Sequence, residues 1–238
     1  ALDINSENAS YFIFFFKLKI DKDLPINTYE ELLKVNPESE NGKKIYELIK
    51  TELKPKYPKS RILNQFELAF SSKDEFKGLF LEFFNKNISG TMPSFFKAIK
   101  CIYLFQKEKI QIIEEIIKVY MDSLNSANKF PEDLFKAPQN GITEKVWFYY
   151  FLSQHYQILS KLEDALTYIN KAIEVLPSSI ELFMAKFKIL KHGMHLDEAV
   201  KALDKAKTLD LGDRYLNAKT AKMWLRIGNV EKAEKTEE

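Results

Sequence analysis

Alanine recurs at a fixed interval in the C-terminal part of this chain. Ala165, Ala199 and Ala233 stand 34 residues apart, Ala172 and Ala206 follow the first two by seven, and Ile169 and Leu203 lie between them at the same period. A period of that length belongs to a supersecondary unit of two helices. Such a unit cannot bury its apolar face alone and must stack on its neighbours. Low glycine agrees: 7 residues in 238, with 8 prolines, leave little material for the turns of a sandwich or barrel or for a phosphate-cradling loop.

Within the unit beginning at Val146, Tyr149, Leu152, Ser153 and Tyr156 fall at positions 4, 7, 8 and 11, and Ala165, Ile169, Ala172 and Pro177 at positions 20, 24, 27 and 32. The pattern resembles the tetratricopeptide repeat. Small residues at positions 8 and 20 let helices A and B of one repeat approach closely, and proline at 32 ends helix B. The repeat from Ile180 keeps Phe183, Ala199, Leu203 and Ala206 but puts Phe187 at the small position 8. The repeat from Arg214 keeps Ala221, Trp224, Gly228 and Ala233. Residues 146–179, 180–213 and 214–238 are therefore expected to be three repeats, the last truncated.

Residues 1–145 read as helices with a weaker signature. Ala98, Ile113 and Ile117 align with positions 5, 20 and 24, but Ile113 is too large for position 20. "TYEELLKV" opens with a capping-box spacing, Thr28 to Glu31, and Ser72 to Glu75 repeats it. "KPKYPKSRILNQFELAF" is expected to be the least regular region, and "NSANKFPEDLFKAPQNG" a polar break. The segments on either side of Gln106 resemble a helical hairpin. No segment alternates with the period of a strand. The fold expected is all-α, a superhelix of stacked antiparallel helix pairs, degenerate over 1–145 and clear over 146–238.

In a tetratricopeptide superhelix, helix A lines the concave groove with positions 2, 5, 6, 9, 12 and 13. In the first repeat these include Trp147, Tyr150, Phe151 and Gln154. In the second they include Glu181, Ala185, Lys188, Lys191 and His192, and in the third Tyr215, Lys219, Lys222 and Arg226. The groove is thus expected to have an aromatic floor and a basic wall. The wall admits two readings, and on spacing alone a solvated lysine face is the stronger. The other is an anion site, because gathered lysines with Glu181 as the one acid repel one another unless something offsets them. Trp147, Tyr150 and Phe151 look hard to bury within their repeat, so contact with a partner is preferred over core for them, and Arg226 is a further candidate for partner contact. Tyr149 is expected in the A–B core.

The remaining features exclude more than they assign. A net charge of +2 leaves no global attraction for nucleic acid, so sequence-specific nucleic-acid binding is not expected. One cysteine, Cys101, makes neither a disulfide framework nor a zinc site and suits a reducing, cytoplasmic setting. The apolar run "YFIFFFKLKI" is too short to span a membrane, and no signal-peptide pattern is present. His155 reads as structural, and His192 and His195 as a metal pair only with further ligands. No Gly-rich loop, nucleophile elbow or Walker pattern occurs. Nothing resembles the acetyl-CoA-binding Arg/Gln-x-x-Gly-x-Gly/Ala loop. The chain is read as no enzyme, with no cofactor of its own.

The strings "YYFLSQHY", "ALTYINKAIE", "IELFMAKFKILKHGMHLDEA" and "LDLGDRYLNAKTAKM" closely resemble the auxiliary subunit of the N-terminal acetyltransferase A complex. "KIYELIKTELKPKYP" and "SSKDEFKGLFLEFFNKNISGTMPSFF" fall in the same family order, so the resemblance spans nearly the whole chain. It implies the middle of a longer, non-catalytic helical scaffold. Such a scaffold wraps a small catalytic acetyltransferase of the GNAT type, reshapes its site for nascent chains and docks the pair on the ribosome. Acetyl-CoA would belong to the catalytic partner. The resemblance also implies an inositol hexakisphosphate ligand, carried over to Lys188, Lys191, His192 and Lys219, with Lys222 added. This tips the wall towards the anion site. Met223 stands where the family often has tyrosine, which implies a lost hydroxyl donor. The rival reading is a general tetratricopeptide adaptor for acidic peptides. Its signature asks for Lys and Asn where this chain has Tyr150 and Gln154, for Asn at Ala185, and for Lys and Arg at Tyr215 and Lys219.

Overall fold

The computed structural model describes residues 2–135 and 141–237, and all regular elements among them are helical. The chain divides into two compact units, Ala1–Asn87 with Ser94–Pro138, and Ile88–Pro93 with Gln139–Glu238.

In the first unit, α1 (Ala9–Lys19) starts where the Asn8 side chain accepts from the Ser10 N–H. It buries Phe12 and Phe16, one turn apart, and both meet the Phe66 ring, at 5.8 and 6.4 Å between centroids. α2 (Tyr29–Lys34) carries the full capping box read from the sequence: Thr28 Oγ1 accepts from the Glu31 N–H, and the Glu31 carboxylate accepts from the Thr28 N–H. α3 (Glu40–Leu48) runs on through a π turn, Ile49–Leu53, into the short α4 (Lys54–Lys56). Pro55 has no N–H to give the carbonyl of Thr51, and the ladder loosens there.

The region expected to be least regular is mostly ordered helix. α5 (Arg61–Phe70) is capped by Ser60 Oγ, which accepts from the Leu63 N–H, and it buries Leu63, Phe66 and Phe70. Pro58 ends one turn and leaves Ser60 free to start another helix, so the prolines delimit helices here and do not abolish them. α6 (Lys73–Ser89) stacks Phe76, Phe80 and Phe84 at one-turn intervals, 5.5 and 5.7 Å apart. α7 (Phe95–Phe105) and α8 (Lys107–Ala127) are joined by Gln106 alone. Tyr120 on α8 sets its ring edge against Phe84 at 5.3 Å and donates its hydroxyl to Asn85 Oδ1 at 2.5 Å. The polar break after α8 is not wholly polar, because Phe130 and Phe135 pack on each other at 5.0 Å and are buried. Its residues 136–140 lie outside the described residues.

The C-terminal end of α5 is held by side chains. Lys109 Nζ donates to the Leu68 and Ala69 carbonyls at 2.9 Å each, Gln106 Nε2 also donates to Ala69, and Ser71 Oγ to Leu68. These carbonyls have no partner within their own helix, and the donors satisfy them. Burial pushes the Lys109 ammonium down to about 8.

The second unit contains three helix pairs: α9 (Ile142–Ile158) with α10 (Leu162–Val175), α11 (Ile180–His192) with α12 (Leu196–Leu209), and α13 (Arg214–Arg226) with α14 (Val230–Glu237). Each pair packs on itself, and α10 packs on α11 as α12 packs on α13. α9 begins four residues before Val146, where the first repeat was expected to start. Ser153 and Ala165 are wholly buried, as are Ala199 and Ala206, which is the close approach that small residues permit.

The three A-to-B turns share one backbone geometry. The N–H groups of Lys161, His195 and Asn229 each reach back five residues, to the carbonyls of Tyr156, Leu190 and Trp224, all at 2.9 Å. Inside each, the N–H of Ser160, Met194 or Gly228 bonds the carbonyl three residues back, at 3.1, 3.2 and 3.0 Å. These are Schellman motifs, whose inner residue must adopt positive φ. The values are 60° at Ser160, 63° at Met194 and 80° at Gly228. The 34-residue period is thus written into the turns even where the residue type changes.

Candidate functional site: a basic wall on two A helices

Lys188, Lys191 and His192 lie on α11, and Lys219, Lys222 and Arg226 on α13. Spacings of three and four place each set on one helical face. Lys219 is half-buried and the other five are exposed. Beneath them is a continuous core that includes Phe183, Phe187, Leu190, Ala199, Leu216, Met223 and Trp224.

Phe187 joins the two sets. Lys191 Nζ lies 5.9 Å from the centre of its ring and Lys219 Nζ lies 5.3 Å from the same centre. Lys219 is also 4.6 Å from the Tyr215 ring centre and donates a hydrogen bond to the Tyr215 hydroxyl. Two ammonium groups from neighbouring A helices therefore share one aromatic floor. Lys188, His192, Lys222 and Arg226 stand on the same two helices without a direct contact that ties them to this pair.

Among the described residues, no carboxylate comes within ion-pair distance of any of the six. In the first unit, by contrast, Lys19, Lys50 and Lys54 are bridged to Glu52, Glu75 and Glu67 at 2.8, 2.7 and 2.6 Å. Glu181 accepts a hydrogen bond from Ser179 Oγ at 2.8 Å and sits in the first turn of α11, the end opposite Lys191 and His192. Lys191, His192 and Arg226 occupy the last turns of their helices, where the negative end of the dipole favours cations. That same dipole end repels anions, so an anion here would be held by side chains.

The aromatic floor expected in the first repeat is corrected. Trp147 and Tyr150 are 8% exposed and Phe151 is wholly covered. The reason is that α9 buries nine of its seventeen residues and exposes none from Glu144 to Ile158, so it has no groove face to spare. Trp147 and Tyr150 meet edge to face at 5.4 Å, and burial pushes the Tyr150 phenol up to about 12. Tyr149 is half-buried and stacks across to Tyr168 on α10, which in turn stacks on Tyr156. His155 is 1% exposed between Phe151 and Tyr156. Burial first, and then Lys161, push its imidazole down to about 4.

Met223 is 5% exposed and belongs to the core under the wall. Two participants stand in the repeat pattern without having been assigned to the site. Phe187 is the breach of the small-residue rule at position 8, and Tyr215 is a groove position of the third repeat, one turn before Lys219. His192 and His195 are exposed, and no group of three or more metal-ligating side chains occurs among the described residues. No described helix is long and apolar enough to cross a membrane.

The comparisons with known proteins agree with one another. A family model described as N-terminal acetyltransferase A, auxiliary subunit, matches residues 1–237. The human protein named N-alpha-acetyltransferase 16, NatA auxiliary subunit, is 35% identical over 237 residues, which is 98% of this chain and 24% of that protein. The Arabidopsis thaliana protein named N-terminal acetyltransferase A complex auxiliary subunit NAA15 is 29% identical over 184 residues, 77% of this chain and 20% of its own length. A solved structure of Naa15/Naa10 bound to HypK-THB superposes with a TM-score of 0.71 at 26% identity, covering 99% of this chain and 31% of that one. The chain thus spans about a quarter of the length of the human protein and of its mouse counterpart, and both are named as auxiliary subunits. The chain belongs to the family of NatA auxiliary subunits.

Proposed function

We propose that this chain is part of a non-catalytic scaffold. It binds and shapes a catalytic acetyltransferase subunit for cotranslational N-terminal acetylation, and it docks that subunit on the ribosome, in the cytoplasm. The observation that carries this reading is the correspondence of 99% of the chain with a chain of the Naa15/Naa10 structure. Acetyl-CoA belongs to the catalytic partner on this reading. The test is co-expression of the full chain with the catalytic subunit. Co-elution is expected, with faster acetylation of peptides starting with Ser or Ala than the catalytic subunit achieves alone. Separate elution would refute the reading.

The basic wall, on the same proposal, holds an inositol polyphosphate. Support comes from Lys191 and Lys219 sharing the Phe187 ring and from the lack of a carboxylate partner for the wall among the described residues. A compact ligand with several negative charges offsets their mutual repulsion better than dilute salt does. An extended acidic peptide suits the wall less well. The first repeat offers no matching polar anchor, because Tyr150 is buried and Gln154 Nε2 points back to the carbonyl of Tyr150 at 3.4 Å.

A further inference from the structure

Lys219 is held in place by its own helix. Tyr215 stands one turn earlier on α13, so ring and ammonium meet by helical geometry alone. The Lys219 ammonium lies 4.6 Å from the centre of that ring and 5.3 Å from that of Phe187, and it donates to the Tyr215 oxygen. A phenol oxygen that accepts from an ammonium still has a proton of its own to give. Tyr215 is 61% exposed, so its hydroxyl is open to a ligand from solvent. The lysines beside it on the wall accept nothing. The complement of that O–H is an oxygen acceptor, and the complement of the lysines is negative charge. One group supplies both, an anionic phosphate oxygen.

We propose that Tyr215 is a binding residue of the basic wall, its hydroxyl donating to a phosphate oxygen of the ligand whose charge Lys219 and Lys191 offset. Phe187 is the floor that keeps those two ammonium groups on one ring. The inference rests on the anion-site reading above and adds a neutral donor to it. A ligand with closely spaced phosphates can meet the hydroxyl and both lysines at once, and it brings more negative charge to them than a lone carboxylate does.

The experiment measures the affinity of inositol hexakisphosphate for the full chain by calorimetry at several salt concentrations, in the parent protein, Tyr215→Phe and Lys219→Met. Tyr215→Phe keeps the ring and the contact of Lys219 with Phe187, and it removes both hydrogen bonds of the hydroxyl, the one accepted from Lys219 and the one given to phosphate. It is expected to bind about 3- to 10-fold more weakly. Its ligand-free melting temperature and its salt dependence should be unchanged, since the number of cations is the same. Lys219→Met should bind more weakly and with a shallower salt dependence. Equal affinity of Tyr215→Phe and the parent overturns the proposal. So does a salt dependence in Tyr215→Phe as shallow as that of Lys219→Met, because the hydroxyl would then act only through the lysine. If the parent protein itself binds no inositol phosphate, the anion-site reading fails and this inference fails with it.

Discussion

His155 gives the second unit a sensitivity to mild acid that can be calculated. The imidazole is 1% exposed and its pKa is pushed down from 6.5 to about 4. The folded state therefore resists taking a proton that the unfolded chain accepts. Between pH 6.5 and about 4 the unfolded chain binds more protons, so stability must fall as pH falls through that window and must be unaffected by this group above it. At pH 5 the unfolded imidazole is almost fully charged while the folded one is still mostly neutral. The difference is about 2 kcal/mol relative to pH 7.5. The carboxylates of Glu40 and Glu75 are held below their ordinary range, by Lys44 and Lys50 respectively, so their acid loss begins at lower pH. The assay is urea unfolding followed by far-ultraviolet circular dichroism at pH 5.0 and 7.5, in the parent chain and in His155→Gln. The parent should lose about 2 kcal/mol and the variant should lose little, with His192 and His195 exposed in both. An equal loss in the two proteins would refute the reasoning, since the acid sensitivity would then come from elsewhere.

Three further outcomes are expected. Gly228→Ala should destabilise the chain by about 1 kcal/mol, because φ is 80° and an added Cβ meets nothing within 4 Å, so only the backbone conformation is tested; Met194→Gly, at an exposed residue with φ of 63°, should change thermal stability in the opposite direction. Stability should rise by about 2 kcal/mol between pH 8 and 10, because the folded Lys109 gives up its proton near 8 and the unfolded one near 10.5; a Lys109→Met chain that shows the same rise in denaturant titrations would rule this out. The double charge reversal Lys188→Glu and Lys219→Glu should remove protection against heating by inositol hexakisphosphate while leaving helicity intact, and persistent protection would exclude the wall as the site.

The second unit was legible because its constraint is local and repeated. An alanine at position 20 is needed wherever two helices approach closely, so the period survives in Ala165, Ala199 and Ala233. Capping residues are legible for the same reason, and Thr28 with Glu31 forms the expected reciprocal pair. What was not legible depends on the surroundings of a whole helix. Trp147, Tyr150 and Phe151 occupy groove positions by count, but α9 is covered on all sides, and no periodicity within one helix records what packs against its outer face. The helix α5 was obscured by the prolines before it. Lys109 gave no signal, because a buried ammonium bonded to two carbonyls looks in sequence like any surface lysine. The wall was found by counting positions, whereas its floor at Phe187 was noticed only as an exception.

The three matched Schellman turns also provide internal probes of cooperativity. The amides of Lys161, His195 and Asn229 donate over the same 2.9 Å to carbonyls at the same repeat position. Their intrinsic opening geometry is equal, so differences in their hydrogen-exchange protection report how strongly each pair is coupled to its neighbours. A graded series would mean that the unit opens pair by pair, and identical protection that it opens as one body. Ligand added to α11 and α13 should then slow exchange at His195 and Asn229 before it affects Lys161, which turns a static repeat into a map of how far binding energy travels along the stack.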